Sequence, residues 1–222
     1  MKKTLPAAYL FLLCLCLGNA QNKMIYRQQT AQQVVRVEVW EARDANGYLL
    51  RSNMSNGESY TIQNDHDLAT ISFSYGNTDQ NTSYAESREG NAIRLVGTLK
   101  GKPISRLSRI DALPVYQSVE RSLQGFAISG SSGTLYFWMV LPMDARVFRL
   151  KARREGREII DVAGERLEAE KVKISLTGIA SFLWSSVYWY RPTDGTFLRS
   201  ECVRGIIGTP KTEIELVDGK AL

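Results

Sequence analysis

Apolar and polar residues alternate with a period of two through most of this chain, starting at Val34. Val35, Val37 and Val39 fall on one side of the pattern, and Arg36, Glu38 and Trp40 on the other. That alternation is the mark of a strand with one buried face. It recurs with Ile71, Phe73 and Tyr75 against Ser72 and Ser74, and with Phe148, Leu150 and Ala152 against Arg149, Lys151 and Arg153. Val172, Ile174 and Leu176 repeat it, as do Ile214 and Leu216 between Glu213 and Glu215. Asn46-Gly47, Asn56-Gly57 and Asp194-Gly195 supply the positive φ values that tight hairpin turns need. Between the turns the pattern predicts strands over 48–54, 58–63, 68–75, 81–88 and 92–100, with Gly101 closing that run. Further strands are expected over 135–141, 146–153, 158–162, 171–176, 183–190, 197–204 and 211–217. The 135–141 stretch is apolar on both faces and reads as buried on both sides. Short strands with a turn about every 8–12 residues predict a mainly β fold: an antiparallel curled sheet, as a β-roll, a half-open barrel or a sandwich.

One segment breaks the period. Tyr116, Val119, Leu123 and Phe126 recur at steps of three and four, which predicts a helix near 111–125. Asp111 could cap its start, Pro114 falls in the first turn, and Gly125 lies near its end. A lone helix in such a chain is expected to act as a lid or plug on a sheet face.

The ends change the picture. Met1-Lys2-Lys3, an apolar run from Ala7 to Leu17 and small residues Gly18-Asn19-Ala20 have the anatomy of a secretory signal peptide cleaved near Ala20. The apolar run is too short for a membrane span, and no later run is long enough for one. Residues 21–33 are polar and glutamine-rich and read as a flexible lead, leaving 34–222 as a single antiparallel β domain. Without the first twenty residues the chain holds 26 basic and 23 acidic residues, a net charge of +3. An excess that small argues against nucleic acid as a partner. Cys14 and Cys16 leave with the signal, so no disulfide can form within the remaining chain, whose one cysteine is Cys202.

Candidate chemistry is sparse. His66, between Asp65 and Asp67, is the one histidine, and a metal site has no second imidazole to draw on. It reads as a polar turn, Cys202 as a small buried side chain, and no catalytic residue, metal ligand or cofactor is assigned. Gly130-Ser131-Ser132-Gly133 lacks both the serine-nucleophile and the phosphate-loop pattern. The aromatic residues stand out: Trp184, Tyr188, Trp189 and Tyr190 crowd one strand, and Tyr136, Phe137 and Trp138 another. Such a set forms either plain core or the wall of an apolar groove. The groove reading places Tyr116, Leu123, Trp138, Trp184 and Tyr188 around a common interior.

Several runs of the C-terminal half resemble a family of exported bacterial proteins defined only as a domain of unknown function. They extend from Gln117-Ser118-Val119-Glu120 to Phe137-Trp138, and from Gly178 to Phe182-Leu183-Trp184. They continue with Tyr188-Trp189-Tyr190-Arg191, Asp194-Gly195-Thr196-Phe197-Leu198, and Gly208-Thr209-Pro210 ahead of Glu213-Ile214-Glu215-Leu216. The resemblance spans about half of residues 21–222 and implies an exported antiparallel β-roll or half-barrel without known catalytic residues. A more distant architectural likeness is to periplasmic lipoprotein carriers, whose curled sheet and helical lid hold acyl chains. The expectation is a periplasmic or secreted, non-enzymatic protein that binds a lipid-like ligand, a lipoprotein or an envelope partner. The alternatives are a hydrolase acting on envelope material and a structural assembly module.

Overall fold

Fourteen strands form one continuous antiparallel sheet in the computed structural model, which describes residues 21–182, 184–203 and 210–218. They are β1 (Gln21–Thr30), β2 (Gln33–Asp44), β3 (Gly47–Met54), β4 (Glu58–Asn64), β5 (Thr70–Asn77), β6 (Thr82–Arg88), β7 (Ala92–Leu99) and β8 (Lys102–Arg109). After two short helical turns, α1 (Val119–Ser122) and α2 (Gln124–Ile128), come β9 (Thr134–Leu141), β10 (Arg146–Val162) and β11 (Glu165–Leu176). A 3₁₀ turn (Gly178–Phe182) precedes β12 (Ser185–Tyr190), β13 (Phe197–Val203) and β14 (Lys211–Asp218). The spatial order runs β8 back to β1, then β14 back to β9. Two meanders are thus joined at mid-sheet by the β1–β14 pair, and β8 and β9, successive in the chain, lie at opposite edges.

The sheet curls until those edges approach without forming a ladder. Tyr84 on β6 donates its hydroxyl to Pro142 O (2.9 Å), and Arg106 on β8 donates to Asp144 O (3.2 Å) and Ala145 O (3.1 Å). The β9–β10 hairpin therefore has apolar positions on both sides. Phe137 and Leu150 join a C-terminal core, while Val140 and Val147 join an N-terminal one. On β9 only Phe137 and Val140, one on each face, are fully buried, and Tyr136 is 40 % exposed, so the apolar run is buried on both sides only in part.

Residues 114–117 cover the β9 edge. Trp138 N–H donates to Pro114 O (2.8 Å) and Tyr116 N–H to Trp138 O (2.8 Å). The Gln117 side chain brackets Val140, accepting from its N–H (3.0 Å) and donating to its carbonyl (2.8 Å). The same segment reaches β5, because Thr70 N–H donates to Val115 O (2.7 Å) and Gln117 N–H to Thr70 Oγ1 (2.9 Å).

Several expectations are corrected. Residues 21–30, read as a flexible lead, form β1, paired with β2 on one side and β14 on the other; Tyr26 and Gln28 are buried, and Arg27 and Gln29 between and beside them are exposed. The run predicted to end at Gly101 turns there and returns as β8, with Lys100 (φ 51°) and Gly101 (φ 77°) in the two-residue hairpin loop. The predicted helix starts eight residues late, at Val119. Pro114 lies in the extended edge-covering segment, and Asp111 accepts bonds from Leu113 N–H (3.1 Å) and Trp138 Nε1 (2.8 Å) in place of capping a helix. The strands expected at 146–153 and 158–162 are one strand, with a register shift between Arg154 and Gly156. Ile71 is 45 % exposed: the register slips between Gln63 and Asn64, leaving Ile71 as an extra residue turned outward. The signal-peptide assignment lies outside the described residues.

Glycine is required where strands turn or touch. A Cβ on Gly47 (φ 131°) would lie 2.2 Å from Asn64 O, so the β2–β3 turn admits no side chain there.

The N-terminal core is a ladder of aromatic rings, in which Tyr60, Phe73, Tyr75 and Tyr84 have centroids 5.3 to 6.2 Å apart. Each such pair contributes about 0.5–1.5 kcal/mol beyond area burial. Helical turns of four and five residues are too short to stand alone. Val119, Leu123 and Ala127, all buried, tie them to the C-terminal core, and Tyr190 donates its hydroxyl to Val119 O (3.0 Å).

Candidate functional site

The concave face of the sheet and α1 enclose a cavity of about 650 Å³. Strand alternation builds its wall, because inward positions are the ones that register pairs across neighbouring strands. Met24 pairs with Val39, Val39 with Ser52, and Val37 with Met54. On the other side Ile174 pairs with Ser186, and Ser186 with Cys202. Four of the five methionines, Met24, Met54, Met139 and Met143, line the space. Their unbranched thioether chains conform to irregular apolar shapes better than branched side chains do.

Several polar groups line the cavity as well. Glu58 accepts from Tyr60 O–H (2.9 Å) and Asn56 Nδ2 (2.9 Å), while Arg146 pairs with Asp144 (2.7 Å) and covers the Phe148 ring at 5.2 Å. Glu120 and Gln117 also face the cavity. Arg121 on α1 fixes the cover in place. It grips Glu41 of β2 through Nε (2.6 Å) and Nη2 (3.1 Å), lies over the Tyr48 ring at 4.8 Å and donates to the Gln124 side chain. The Glu41 side chain is only 9 % exposed, so the pair is largely shielded from solvent. Tyr26 lines the wall with its hydroxyl on Met24 Sδ (3.2 Å), and burial raises its pKa, which keeps the phenol neutral.

Of the five residues expected around a common interior, Trp184 and Tyr188 line the cavity. Tyr116 packs on Phe137 instead, at 5.3 Å between centroids, and Leu123 is wholly buried beneath the helical turns. Trp138 belongs to the opposite face of β9. Strand alternation sends it away from Phe137 toward the N-terminal core and Asp111. No local signal joined the methionines: Met139 lies inside the apolar 135–141 run, Met143 just beyond it, Met54 among polar residues, and Met24 in the segment read as a lead. Cys202 is half-buried on the cavity wall. His66 sits in an exposed turn, 3.3 Å from Ala45 O. Among the described residues no group of His, Cys, Asp or Glu could hold a metal ion, and no helix is long and apolar enough to cross a membrane.

Fold and site together define a class: an open, curled antiparallel sheet around an apolar cavity with a helical cover. The chain shares this fold with a β-barrel-like protein of the domain of unknown function DUF1849 from Brucella abortus. The TM-score is 0.60 at 12 % identity, over 91 % of this chain and 99 % of that one. Weaker structural similarity reaches a hypothetical lipoprotein YmcC from Escherichia coli K12 (TM-score 0.41, 12 % identity, 90 % of this chain and 86 % of that one). It also reaches a LolA superfamily protein, NE2245, from Nitrosomonas europaea (TM-score 0.27, 10 % identity, 91 % and 85 %). No protein-family model and no curated protein matches the sequence.

Proposed function

We propose that this is an exported, non-enzymatic protein of the bacterial periplasm that carries or senses a lipid-like ligand. One observation carries the reading: a covered, methionine-lined apolar cavity of about 650 Å³, within the size range of small-molecule sites. Each methylene moved from water into such a space contributes about 0.8 kcal/mol, so an alkyl chain suits this wall better than a polar substrate does. The polar groups of Glu58, Tyr60 and Arg146 would face a headgroup. The signal-like first twenty residues support export.

The test is tryptophan fluorescence of the delipidated protein titrated with palmitate. Trp184 lies on the wall, so ligand entry is expected to shift emission to the blue, and Trp184→Ala to weaken binding at least tenfold while the urea midpoint holds. An unchanged spectrum, or a Trp184→Ala chain that only unfolds, counts against the reading.

A second reading rests on the carboxylates among the lining residues, Glu58, Glu120 and Asp144. A hydrolase would use two of them. Turnover of envelope lipids or glycans that disappears in Glu58→Gln and Asp144→Asn would favour it over the carrier.

A further inference from the structure

The two edges of the sheet are treated differently. Residues 114–117 cover the β9 edge from Trp138 to Val140, whereas nothing among the described residues pairs with the outer side of β8. The direction of its backbone groups follows from the register. Leu99 and Lys102 flank a two-residue turn, and Ile110 N–H donates to Asn91 O (2.9 Å). The even-numbered residues of β8 therefore bond to β7, and the odd-numbered ones point away. Ser105, Leu107 and Arg109 present their N–H and C=O groups outward, while Pro103 offers only a carbonyl. One face of the strand is also bare: Leu107 is 57 % exposed, and Val96 on the neighbouring strand 49 %.

Charge singles out this hairpin. From Gly90 to Ile110 the chain carries Arg94, Lys100, Lys102, Arg106 and Arg109 and no carboxylate. Only Arg94 meets an acidic partner, Glu89 (2.6 Å). Pairing two copies of β8 would lay two strands that carry only basic charges side by side, and like charges across a strand pair are destabilising. The same cations favour a strand that brings carboxylates.

We infer that β8 is a docking edge for an extended acidic segment of another protein, which adds as an antiparallel strand beyond Lys102–Arg109. The partner's alternation follows from the face each side chain takes. Residues opposite Ser105 and Leu107 turn their backbone groups toward β8 and share the face of the exposed Leu107, so they are apolar. Their neighbours share the face of Lys102 and Arg106, so they are acidic. This inference is independent of the ligand cavity.

A fluorescein-labelled peptide of alternating Glu and Val tests it by anisotropy with the full mature chain. Binding is expected, with amide-exchange protection appearing at Ser105 and Leu107. N-methylation of the valines removes the N–H groups that face β8 and keeps every charge; it is expected to weaken binding at least tenfold. The double variant Lys102→Glu, Arg106→Glu, checked for native circular dichroism, is expected to lose binding to a similar degree. Both losses are required. Equal binding of the N-methylated peptide, or an unaffected double variant, overturns strand addition. So does binding to phosphatidylglycerol vesicles without binding to the peptide, or dimerisation of the chain through this edge.

Discussion

Two carboxylates lie deep in the two cores of this sheet, and they are handled in opposite ways. Glu170 on β11 is 1 % exposed and accepts from Arg154 Nη2 (2.7 Å) and Arg157 Nε (2.5 Å). Burial alone would raise its pKa, but the two guanidiniums outweigh burial and hold it below the usual carboxylate range. Glu86 on β6 is 3 % exposed, sits across from Phe73 and Leu95, and leaves Oε2 without a hydrogen-bond partner. Desolvation pushes its pKa up to about 8. The C-terminal core thus holds a fixed ion network, and the N-terminal core holds a carboxyl group that is neutral in the folded protein near neutral pH. Burial by itself does not decide the charge of a group; the partners its strand neighbours supply do.

The largest effect expected is from Glu170→Gln, which leaves two guanidiniums facing a shielded amide. Urea denaturation at pH 7 should show a loss of about 3 kcal/mol, the upper end of the scale for a hydrogen bond to a charged group. Glu86→Gln, an equally conservative change in the other core, should not destabilise at that pH. A comparable loss in both variants would erase the distinction.

The pH profile sharpens it further. Glu86 binds its proton more tightly folded than unfolded, so its contribution is fully present below about 4.5 and is lost as pH rises toward about 8. Glu170 has the opposite sign: its contribution is present above the unfolded carboxylate pKa and is lost as pH falls through the lowered folded value. Thermal midpoints should therefore decline between pH 5 and 8 in the native chain and stay flatter there in Glu86→Gln. Identical slopes would show that Glu86 does not titrate as described.

Smaller effects test the cavity side. Arg121→Gln breaks the grip on Glu41 and should cost about 1.5–3 kcal/mol, the scale for a hydrogen bond to a charged group. If α1 is a cover, palmitate release in stopped flow should also accelerate; lost stability with unchanged release would make the pair purely structural. Smallest is Cys202→Ala, expected to cost about 1–2 kcal/mol and to leave palmitate binding intact. Abolished binding would show that the thiol takes part in ligand capture.

The fold class was legible because alternation and Asn-Gly turns are local signals. Val35, Val37, Phe148, Leu150, Ala152 and Ile174 all face inward as their period requires. Three kinds of feature were not local. β1 is polar enough to look like a lead, and becomes a strand because β2 and β14 flank it from far along the chain. The bulge that turns out Ile71 depends on pairing with β4, which periodicity within one strand cannot reveal. The helical period at 116–126 was real, but its first turn was taken by edge pairing to β9, where Trp138 and Val140 bind the backbone of Pro114 and Tyr116 and the side chain of Gln117. For the cavity, alternation separated Tyr188 from Trp189 correctly. It could not show that Trp138 and Phe137 serve different cores, because both faces of β9 are apolar.

The unjoined edges have a mechanical consequence. A closed barrel has its girth fixed by strand number and stagger, so widening it means breaking a ladder. Here the β6–β8 end of the sheet meets the β9–β10 hairpin through the side chains of Tyr84 and Arg106, and residues 114–117 bridge β5 to β9, so no strand-to-strand ladder closes the sheet. The sheet is a scroll, and its girth is set by these bridging contacts where a barrel's is set by strand number and stagger.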